Sequence, residues 1–542
     1  MLNPKELVLR PFPAALSEFQ SADFTTQRRI IACPNPPIEA VQQGYAIALS
    51  SSEFDIHNVL QQLPSTFQPD LISLSARKMG FQPRGLDRLS CPTLMKIGDT
   101  FHWGDGSLNG IVRYCRSLNC DFHWVYQGVQ HLHWFVEAGL KNVFWLPGTS
   151  VIDPYVPSKP AEKSYGVIFR GSESHLHAYR SQVLRYLQQA DIEVDIQQKP
   201  YLDCLEDYVR AQIVLNCSLN GDTNRRVFEV LMAGGFLLTD RLSPQTGIQH
   251  LFREGEHLEC YGSLPELVEK VKFYLAHPEK AEQIAIAGQQ QLLSHYNQSL
   301  TQQKLYRYVF TQKIEPPFRL EHDRRITVIP NDQPSEALDQ RLQLYQLIQE
   351  LHRINPQLHG IYWRGKHRQL LADLVDLARL KLSYVESETA IESVKTWCAE
   401  IDIEHQVHWA TPETLQSPAQ LILVDLPETL RSARERLIEL DPHLASSGLL
   451  LFIGQASVQQ KTWLDLVLRS KSYQPTTISV DYCNWHEPLG AGACLTYVKS
   501  FTSDQSSPMP LTFTQLTWQT KMQQAIRVRK TAIARRVAQI KR

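Results

Sequence analysis

The sequence lacks the features that would place it in a membrane or in an oxidising compartment. No apolar run reaches the length of about 20 residues that a membrane-spanning helix needs. The N-terminal segment contains acidic residues and prolines and has no continuous apolar core, so we do not expect a signal peptide. The ten cysteines form no Cys-x-x-Cys pair or Cys/His cluster at zinc spacing, which argues against a disulfide framework or structural zinc. We therefore predict a cytoplasmic protein with reduced thiols.

An excess of charge of either sign is also missing. The formal net charge is -1, so no overall electrostatic attraction favours nucleic acid, and we expect no nucleic-acid partner. A chain of 542 residues is too long for one hydrophobic core and predicts about three domains.

Short apolar runs alternate with helical or turn-rich segments, which is typical of doubly wound α/β domains. A proline-rich hinge near residues 147–160 separates a first series of strands from a second. We expect the first two dozen residues to form an appended arm. The predicted strands of the two series are 28–34, 44–50, 70–76, 93–99, 122–127 and 142–148, then 165–171, 192–197, 212–217, 236–240 and 257–262.

A third series of apolar runs follows a polar, proline-rich linker and predicts a further Rossmann-like domain. Its predicted strands are 358–365, 380–387, 404–410, 420–427, 449–455, 476–482 and 493–500. The predicted regions are 1–155 and 156–315 for the first two domains, 316–340 for the linker, 341–502 for the third domain and 503–542 for a tail.

Residues 220–241 carry the clearest sign of a ligand site. Turn and N-cap residues (Asn220, Gly221, Asp222 and Asn224) precede a predicted helix with Arg225, Arg226 and Glu229 in its first turns. Gly234 and Gly235 end the helix before an apolar strand. A helix N-terminus flanked by arginines can bind a phosphate. The alternative is a surface helix with an intrahelical Arg/Glu ion pair.

This segment and its surroundings resemble group 1 glycosyltransferases with the GT-B fold, especially the bacterial branch that includes spore-maturation-like glycosyltransferases. The similarity spans residues of about 90–312 and follows the order of the family's segments. The matching segments are 96–115, 130–148, 167–180 and 226–296.

The resemblance implies two Rossmann-like domains in a GT-B arrangement, which bind a UDP- or GDP-sugar donor and a glycan, lipid or protein acceptor. Glu229 matches the family's carboxylate that contacts the donor's ribose, and the basic residues Arg225 and Arg226 near it meet the diphosphate. Many relatives carry another acidic residue eight positions earlier, where this chain has Gly221 with Asp222 beside it. This departure leaves open a catalytically silent protein that binds a sugar nucleotide or a glycan.

The donor side of the predicted site includes residues of a second turn. Gly171 and Ser172 follow the first strand of the second domain, where a glycine lets backbone N–H groups approach a diphosphate. Arg180 is a candidate for neutralising the leaving group. The alternative is an ordinary strand-to-helix turn. The predicted donor-binding residues are Gly171, Ser172, Arg180, Asn224, Arg225, Arg226 and Glu229.

Candidates for the catalytic base follow strands of the first domain. In inverting GT-B enzymes a histidine or aspartate there deprotonates the acceptor hydroxyl, so the resemblance points to Asp99, His102 and His131. His133 is two positions from His131, so on a helix the two would not share a face. The alternative is a turn aspartate and solvated or packed histidines. No Asp-x-Asp motif follows an early strand, so we predict neither a metal site nor a required cofactor.

The third domain is similar to class I methyltransferases, in which an acidic residue at the end of strand two binds the ribose of S-adenosylmethionine. Glu386 and Glu388 lie at about that place, and Asp425 ends the fourth strand. Its first turn, residues 363–367, contains one glycine among bulky side chains, which disfavours a close approach of the cofactor. Methyl transfer therefore stays open beside a degenerate domain kept for packing or partner binding.

The tail is predicted to form a basic amphipathic helix. Residues 518–542 contain eight Lys or Arg and no acid. This pattern predicts peripheral contact with an anionic membrane or a partner, and the alternative is a helix packed on its own protein. The apolar stripe is Met522, Ile526, Ile533, Val537 and Ile540.

Overall fold

Apolar runs of the sequence become parallel strands joined by helices in a computed structural model of the chain. The structure forms two compact units: the N-terminal unit holds the first two sheets and the C-terminal unit holds the third. The described residues are 2–20, 22–76, 80–98, 108–126, 128–147, 162–171, 178–218, 223–242, 246–314, 318–319, 336–355, 357–377, 380–401, 403–415, 418–476 and 494–499.

The first sheet has the strand order β3-β2-β1-β5-β7-β8-β9 and is parallel throughout, with a separate parallel pair, β4 and β6. The strands of this sheet and of the separate pair are β1 Glu6–Leu9, β2 Arg29–Cys33, β3 Ala46–Ala48, β4 Glu53–Asp55, β5 Leu71–Ser75, β6 Gln82–Arg84, β7 Thr93–Ile97, β8 Phe122–Val125 and β9 Val143–Trp145. The accompanying helices are α1 Ala22–Thr25, α2 Ile38–Gln42, α3 Ile56–Leu60, α4 Leu108–Leu118 and α5 Leu132–Glu137.

The prediction of an N-terminal arm is wrong. Strand β1 pairs with β2 on one side and β5 on the other, and Leu7 and Leu9 are fully buried. The apolar run is only three residues long and is preceded by Glu6, so it gives a weak strand signal. Its place inside the sheet depends on partners more than twenty residues away.

The second sheet has the order β11-β10-β12-β13-β14 and is also parallel. Its strands are β10 Tyr165–Arg170, β11 Val194–Gln197, β12 Ala211–Leu215, β13 Leu237–Asp240 and β14 Glu259–Tyr261. The helices of this part are α6 Ala178–Gln189, α7 Tyr201–Arg210, α8 Arg225–Ala233, α9 Ile248–Leu251, α10 Leu264–Ala276, α11 Pro278–His295 and α12 Gln298–Thr311.

Helix α12 follows the second sheet in the chain but packs on the first. The ring of Tyr308 lies 5.6 Å from that of Phe122 and 4.6 Å from that of Phe144. The hydroxyl of Tyr306 donates to Glu6 at 3.3 Å. These contacts join the two sheets of the N-terminal unit.

The third sheet has the order β17-β16-β15-β18-β19-β21-β20, in which only β21 runs antiparallel among the described strands. Its strands are β15 His359–Trp363, β16 Lys381–Val385, β17 Val407–Ala410, β18 Ala419–Asp425, β19 Leu444–Ile453, β20 Tyr473–Thr476 and β21 Cys494–Lys499. The helices are α13 Glu336–Ile354, α14 Arg368–Ala372, α15 Glu388–Glu400, α16 Leu430–Leu440 and α17 Val458–Arg469.

The predicted α/β class is confirmed, because all three regions form mainly parallel sheets with intervening helices. The strand predicted at 476–482 lies outside the described residues apart from Thr476, which belongs to β20. The basic tail lies outside the described residues, and the predicted domain boundaries stay predictions. None of the helices in the described parts of the chain is long and apolar enough to cross a membrane.

Candidate functional site

Polar side chains gather at the carboxyl edge of the second sheet, where the strand order reverses between β10 and β12. In open parallel sheets such a reversal creates a crevice, because the helices that follow the two strands leave on opposite faces. The crevice is bordered by the end of β10, by Asn216 after β12, and by the first turn of α8. Ligands of α/β domains bind at this location.

Helix α8 begins at this edge of the sheet and has no side-chain cap at its N-terminus. Asn224 is its N-cap residue, but the Asn224 side chain accepts no hydrogen bond from the first turn. The backbone N–H groups there therefore lack the usual side-chain acceptor. The predicted end of the helix is confirmed, because Gly234 has a φ of 80° at the C-cap.

Among the residues that the structure describes, three buried side-chain atoms near this N-terminus find no hydrogen-bond partner: Thr223 Oγ1, Asn224 Oδ1 and Arg226 Nε. Buried polar atoms are normally hydrogen-bonded, so each exception needs an explanation. These three atoms lie within four consecutive residues, beside a helix N-terminus without a side-chain cap.

Arg226 is a partly buried cation held by neutral groups. Its Nη1 donates to Asn216 Oδ1 at 2.9 Å, and its Nη2 donates to the backbone carbonyl of Arg170. Its guanidinium lies 4.6 Å from the centre of the Phe169 ring. In the part of the chain that the structure describes, no carboxylate lies within ion-pairing distance of Arg226. Its charge is therefore not neutralised by any carboxylate of the described residues.

Arg180 places a second guanidinium against the same ring. It is 7% exposed, lies 5.1 Å from the centre of the Phe169 ring, and donates from Nη2 to the Cys217 carbonyl at 3.3 Å. The two arginines, which are 46 positions apart in the sequence, therefore meet around Phe169.

Gly171 contributes through its missing side chain. Its backbone N–H already donates to the Gln197 carbonyl at 3.0 Å. A Cβ atom at this position would lie 2.5 Å from Arg226 Nη2. The glycine therefore makes room for Arg226. Ser172 lies outside the described residues.

Arg225 and Glu229 form the intrahelical ion pair considered as the alternative. Arg225 is half exposed and lies 4.5 Å from the centre of the Tyr201 ring on α7. The side chain of Glu229 is 10% exposed. Burial raises the pKa of Glu229 above its usual value, although Arg225 and Arg226 oppose the shift. Glu229 thus faces α7, while Arg226 faces the strand ends.

The sequence interpretation missed the residues that support Arg226. Asn216 donates from Nδ2 to Thr239 Oγ1 at 2.9 Å, and Thr239 donates to Asp240 Oδ1 at 3.2 Å. All three side chains are buried. Their signal was the presence of polar residues at the carboxyl ends of apolar strands, where an inward-facing polar side chain needs a partner.

Only one candidate base lies within the described residues. His131 is 1% exposed, and its ring centre is 5.4 Å from that of Trp134. Burial, aided by the nearby His133, lowers the pKa of His131 to about 3. The His133 ring also contacts Trp134, at 4.8 Å. The two histidines meet one tryptophan because His131 precedes α5 as its N-cap. Asp99 and His102 lie outside the described residues.

The first turn of the third sheet is occupied by the protein's own side chains. A Cβ at Gly365 would lie 2.1 Å from the Tyr362 ring, and Tyr384 donates to the Gly365 carbonyl at 3.0 Å. Arg364 has a φ of 49° and lies 3.8 Å from Glu386. Asp425 accepts from the Lys366 backbone N–H at 3.1 Å. These residues do not fit a close approach of S-adenosylmethionine at this turn, and Glu388 is exposed at the start of α15.

Residues 172–305 match the protein family described as Glycosyl transferase-like. This part of the chain is therefore a glycosyltransferase-family domain, and the predicted relationship to group 1 glycosyltransferases is confirmed for it. The narrower assignment to the spore-maturation-like branch stays a prediction. The chain matches none of the curated proteins.

Solved structures with similar folds include Anabaena HepE in complex with UDP-glucose, at 12% identity and a TM-score of 0.38, over 56% of this chain and 99% of that one. A glycosyltransferase from Rickettsia africae has 10% identity and a TM-score of 0.40, over 57% and 100%. Sucrose-phosphate synthase from Thermosynechococcus elongatus has 10% identity and a TM-score of 0.39, over 57% and 100%. Because these scores are low, the likenesses add nothing to the family match.

Proposed function

We propose that the chain is an active glycosyltransferase that moves a sugar from a nucleoside-diphosphate sugar to an acceptor, with the donor's diphosphate bound at the N-terminus of α8. The observation that supports this best is the group of three buried polar atoms there that find no hydrogen-bond partner among the described residues, inside the segment that matches the glycosyl transferase-like family. A diphosphate supplies acceptors for the helix N–H groups and for Arg226.

The proposed chemistry is mainly electrostatic. Arg226 and Arg180 stabilise the negative charge that develops on the departing nucleoside diphosphate. Gly171 leaves space for Arg226, and Asn224 adds a polar group to the same edge. Ser172 stays a predicted donor-binding residue. Because these donors are held in place before the reaction, little reorganisation is needed when the bond to the sugar breaks.

Glu229 is proposed to bind the donor's ribose hydroxyls, with Arg225 orienting its carboxylate. Its raised pKa fits a carboxylate that is poorly solvated until a hydroxyl donor arrives.

Asp99 and His102 are proposed as the first candidates for the base that deprotonates the acceptor, and His131 as the third. A neutral buried imidazole with a pKa of about 3 is a weak base near pH 7, so His131 is the last of the three to test.

Nucleotide binding by an Arg226→Ala variant tests the donor site. We expect UDP or GDP to bind the wild-type chain and the dissociation constant to rise about tenfold or more in the variant, since hydrogen bonds to charged groups contribute about 1.5–3 kcal/mol. Isothermal titration calorimetry measures this change. Arg185→Ala, at an exposed position of α6, is the matched control and should bind like the wild type. Absence of nucleotide binding at millimolar concentration would refute the donor site.

A catalytically silent sugar-nucleotide or glycan-binding protein is the second candidate. Gly221 stands where many relatives carry an acid, and the Arg225 ion pair engages the remaining carboxylate. Transfer of a labelled sugar from a panel of nucleotide sugars separates the two: nucleotide binding without transfer or donor hydrolysis supports the silent protein.

The acceptor is proposed to be a glycan, a lipid or a protein, and the basic tail is proposed to bring the chain to an anionic surface. Co-sedimentation with anionic vesicles, with and without residues 519–542, tests the membrane contact. Equal pelleting of both chains would contradict it.

A further inference from the structure

Asn216 lies between the cation of the proposed donor site and a buried carboxylate. On one side its Oδ1 accepts from Arg226 Nη1 at 2.9 Å and from Asn224 Nδ2 at 3.2 Å. On the other side its Nδ2 donates to Thr239 Oγ1 at 2.9 Å. The residue is 1% exposed, so water does not compete with these bonds.

The direction of these hydrogen bonds follows from chemistry. A guanidinium can only donate, so the atom of Asn216 that faces Arg226 must be the carbonyl oxygen. The amide nitrogen therefore faces Thr239, whose hydroxyl accepts from it and donates to Asp240 Oδ1 at 3.2 Å. Every donor in the series Arg226, Asn216, Thr239, Asp240 points towards the carboxylate.

Asp240 is itself held firmly in place. It is 4% exposed and accepts from the backbone N–H of Ser218 at 2.9 Å and from the Ser218 hydroxyl at 2.5 Å. The carboxylate thus anchors the series, but two neutral side chains separate it from the guanidinium. A carboxylate in direct contact with Arg226 would neutralise the charge that an incoming anion needs.

We propose that Asn216 is a positioning residue: it orients Arg226 towards the donor's diphosphate through a neutral acceptor, and Thr239 and Asp240 fix the direction of its amide. This inference rests on the proposed donor site. The inference explains why residue 216, next to Arg226, is an asparagine. An aspartate of the same shape would form an ion pair with Arg226.

The variant Asn216→Asp tests the charge argument with almost no change of shape. The new carboxylate pairs with Arg226, so we expect the dissociation constant for UDP to rise about tenfold or more. Uridine carries no phosphate that the new carboxylate could repel. We therefore expect its dissociation constant to change less than about twofold. A merely structural defect would weaken UDP and uridine alike. Titration calorimetry or ligand-detected NMR measures both.

Asn58→Asp is the matched control, because it makes the same charge change at an exposed position of α3. It should leave UDP binding unchanged. If Asn216→Asp binds UDP as the wild type does, the positioning role is refuted while the proposed function stands. If the wild type binds no nucleoside diphosphate, the proposed function and this inference both fail.

A second pair of variants keeps the test valid if Asn216→Asp does not fold. Thr239→Val removes the hydroxyl that holds the amide, so Asn216 can turn its NH₂ group towards Arg226, and we expect UDP binding to weaken about threefold or more. Thr239→Ser retains the hydroxyl, so we expect it to bind UDP as the wild type does. Equal UDP binding by the two variants would contradict the role of Thr239 in the series.

Discussion

Arg225 and Arg226 are adjacent in the sequence and have different surroundings in the structure. Successive residues of an α-helix point about 100° apart. Arg225 therefore faces Tyr201 on α7 and pairs with Glu229, whereas Arg226 faces Asn216 and the strand ends. The ion pair considered as the alternative therefore involves Arg225. The proposed anion site involves Arg226.

Glu229→Gln should stabilise the protein at neutral pH. Burial raises the pKa of Glu229 above 4.5, so the native state holds this proton more tightly than the unfolded state. Stability is therefore lost as the pH rises from 4.5 through the folded-state pKa, and the amide removes this loss. We expect a higher melting temperature at pH 7, with a gain that shrinks as the pH falls towards 4.5. UDP binding should weaken about tenfold, since the amide is a poorer acceptor for ribose hydroxyls.

Thermal unfolding at several pH values measures this effect. Glu269→Gln, at an exposed position of α10, should show no comparable gain at pH 7. A melting temperature for Glu229→Gln below that of the wild type at pH 7 would show that the Arg225 pair outweighs the burial of the carboxylate.

At the scale of the element, Gly365 in the turn after β15 has a structural role that the sequence did not indicate. A glycine-rich turn after the first strand of a Rossmann-like domain is typical of a cofactor site, and this turn contains one glycine. Here Gly365 is required because the turn folds over the Tyr362 ring. The Tyr362 hydroxyl accepts from the His367 backbone N–H at 3.1 Å, which closes the turn on the side chain.

Gly365→Ala should therefore destabilise the C-terminal unit. The added methyl would lie 2.1 Å from the Tyr362 ring, so the turn or the buried ring must move, at a cost of about 1–3 kcal/mol. Urea unfolding measures the loss. Gly166→Ala in β10 meets no atom within 4 Å and is the control. If Gly365→Ala has the same free energy of unfolding as the wild type, the Tyr362 ring moves aside at little energetic cost.

At the scale of the whole molecule, a buried charge cluster ties β1 to α12. Glu6 accepts hydrogen bonds from Ser73 at 2.5 Å, Lys96 at 3.0 Å, Arg29 at 3.2 Å and Tyr306 at 3.3 Å. Burial by itself would raise the pKa of Glu6, but Lys96, Arg29 and the Ser73 hydroxyl together hold it well below the usual range. A carboxyl of this kind stabilises the fold above pH 4.5, and the contribution is lost as the pH falls further.

Glu6→Gln should lower the stability of the N-terminal unit at pH 7 by about 3 kcal/mol, because it leaves Lys96 and Arg29 without their buried partner. The variant should also lose less stability than the wild type between pH 4.5 and pH 3. Unfolding measured by circular dichroism across this range tests both points. Glu53→Gln breaks an exposed pair with Arg84 and should cost at most about 1 kcal/mol. An equally steep acid dependence in Glu6→Gln would contradict the assignment.

The sequence by itself determined the local features of the protein. The alternation of apolar runs predicted the α/β class, and the residues from Asn224 to Gly234 predicted the start and end of α8. These features depend on neighbours within a few positions, such as an N-cap residue, a glycine with positive φ or a periodic apolar face. The family match to residues 172–305 includes α8.

Only the tertiary structure decided which side chains share a site. It placed β1 inside the first sheet, brought Arg180 and Arg226 to one phenylalanine, and linked Arg226 to Asp240 through Asn216 and Thr239. The physical reason is that parallel strands bring together the ends of segments that are 20 to 50 residues apart, and α12 contacts a strand 300 positions earlier. The register of those strands determines which charged and neutral side chains surround Arg226. No local sequence pattern specifies this register.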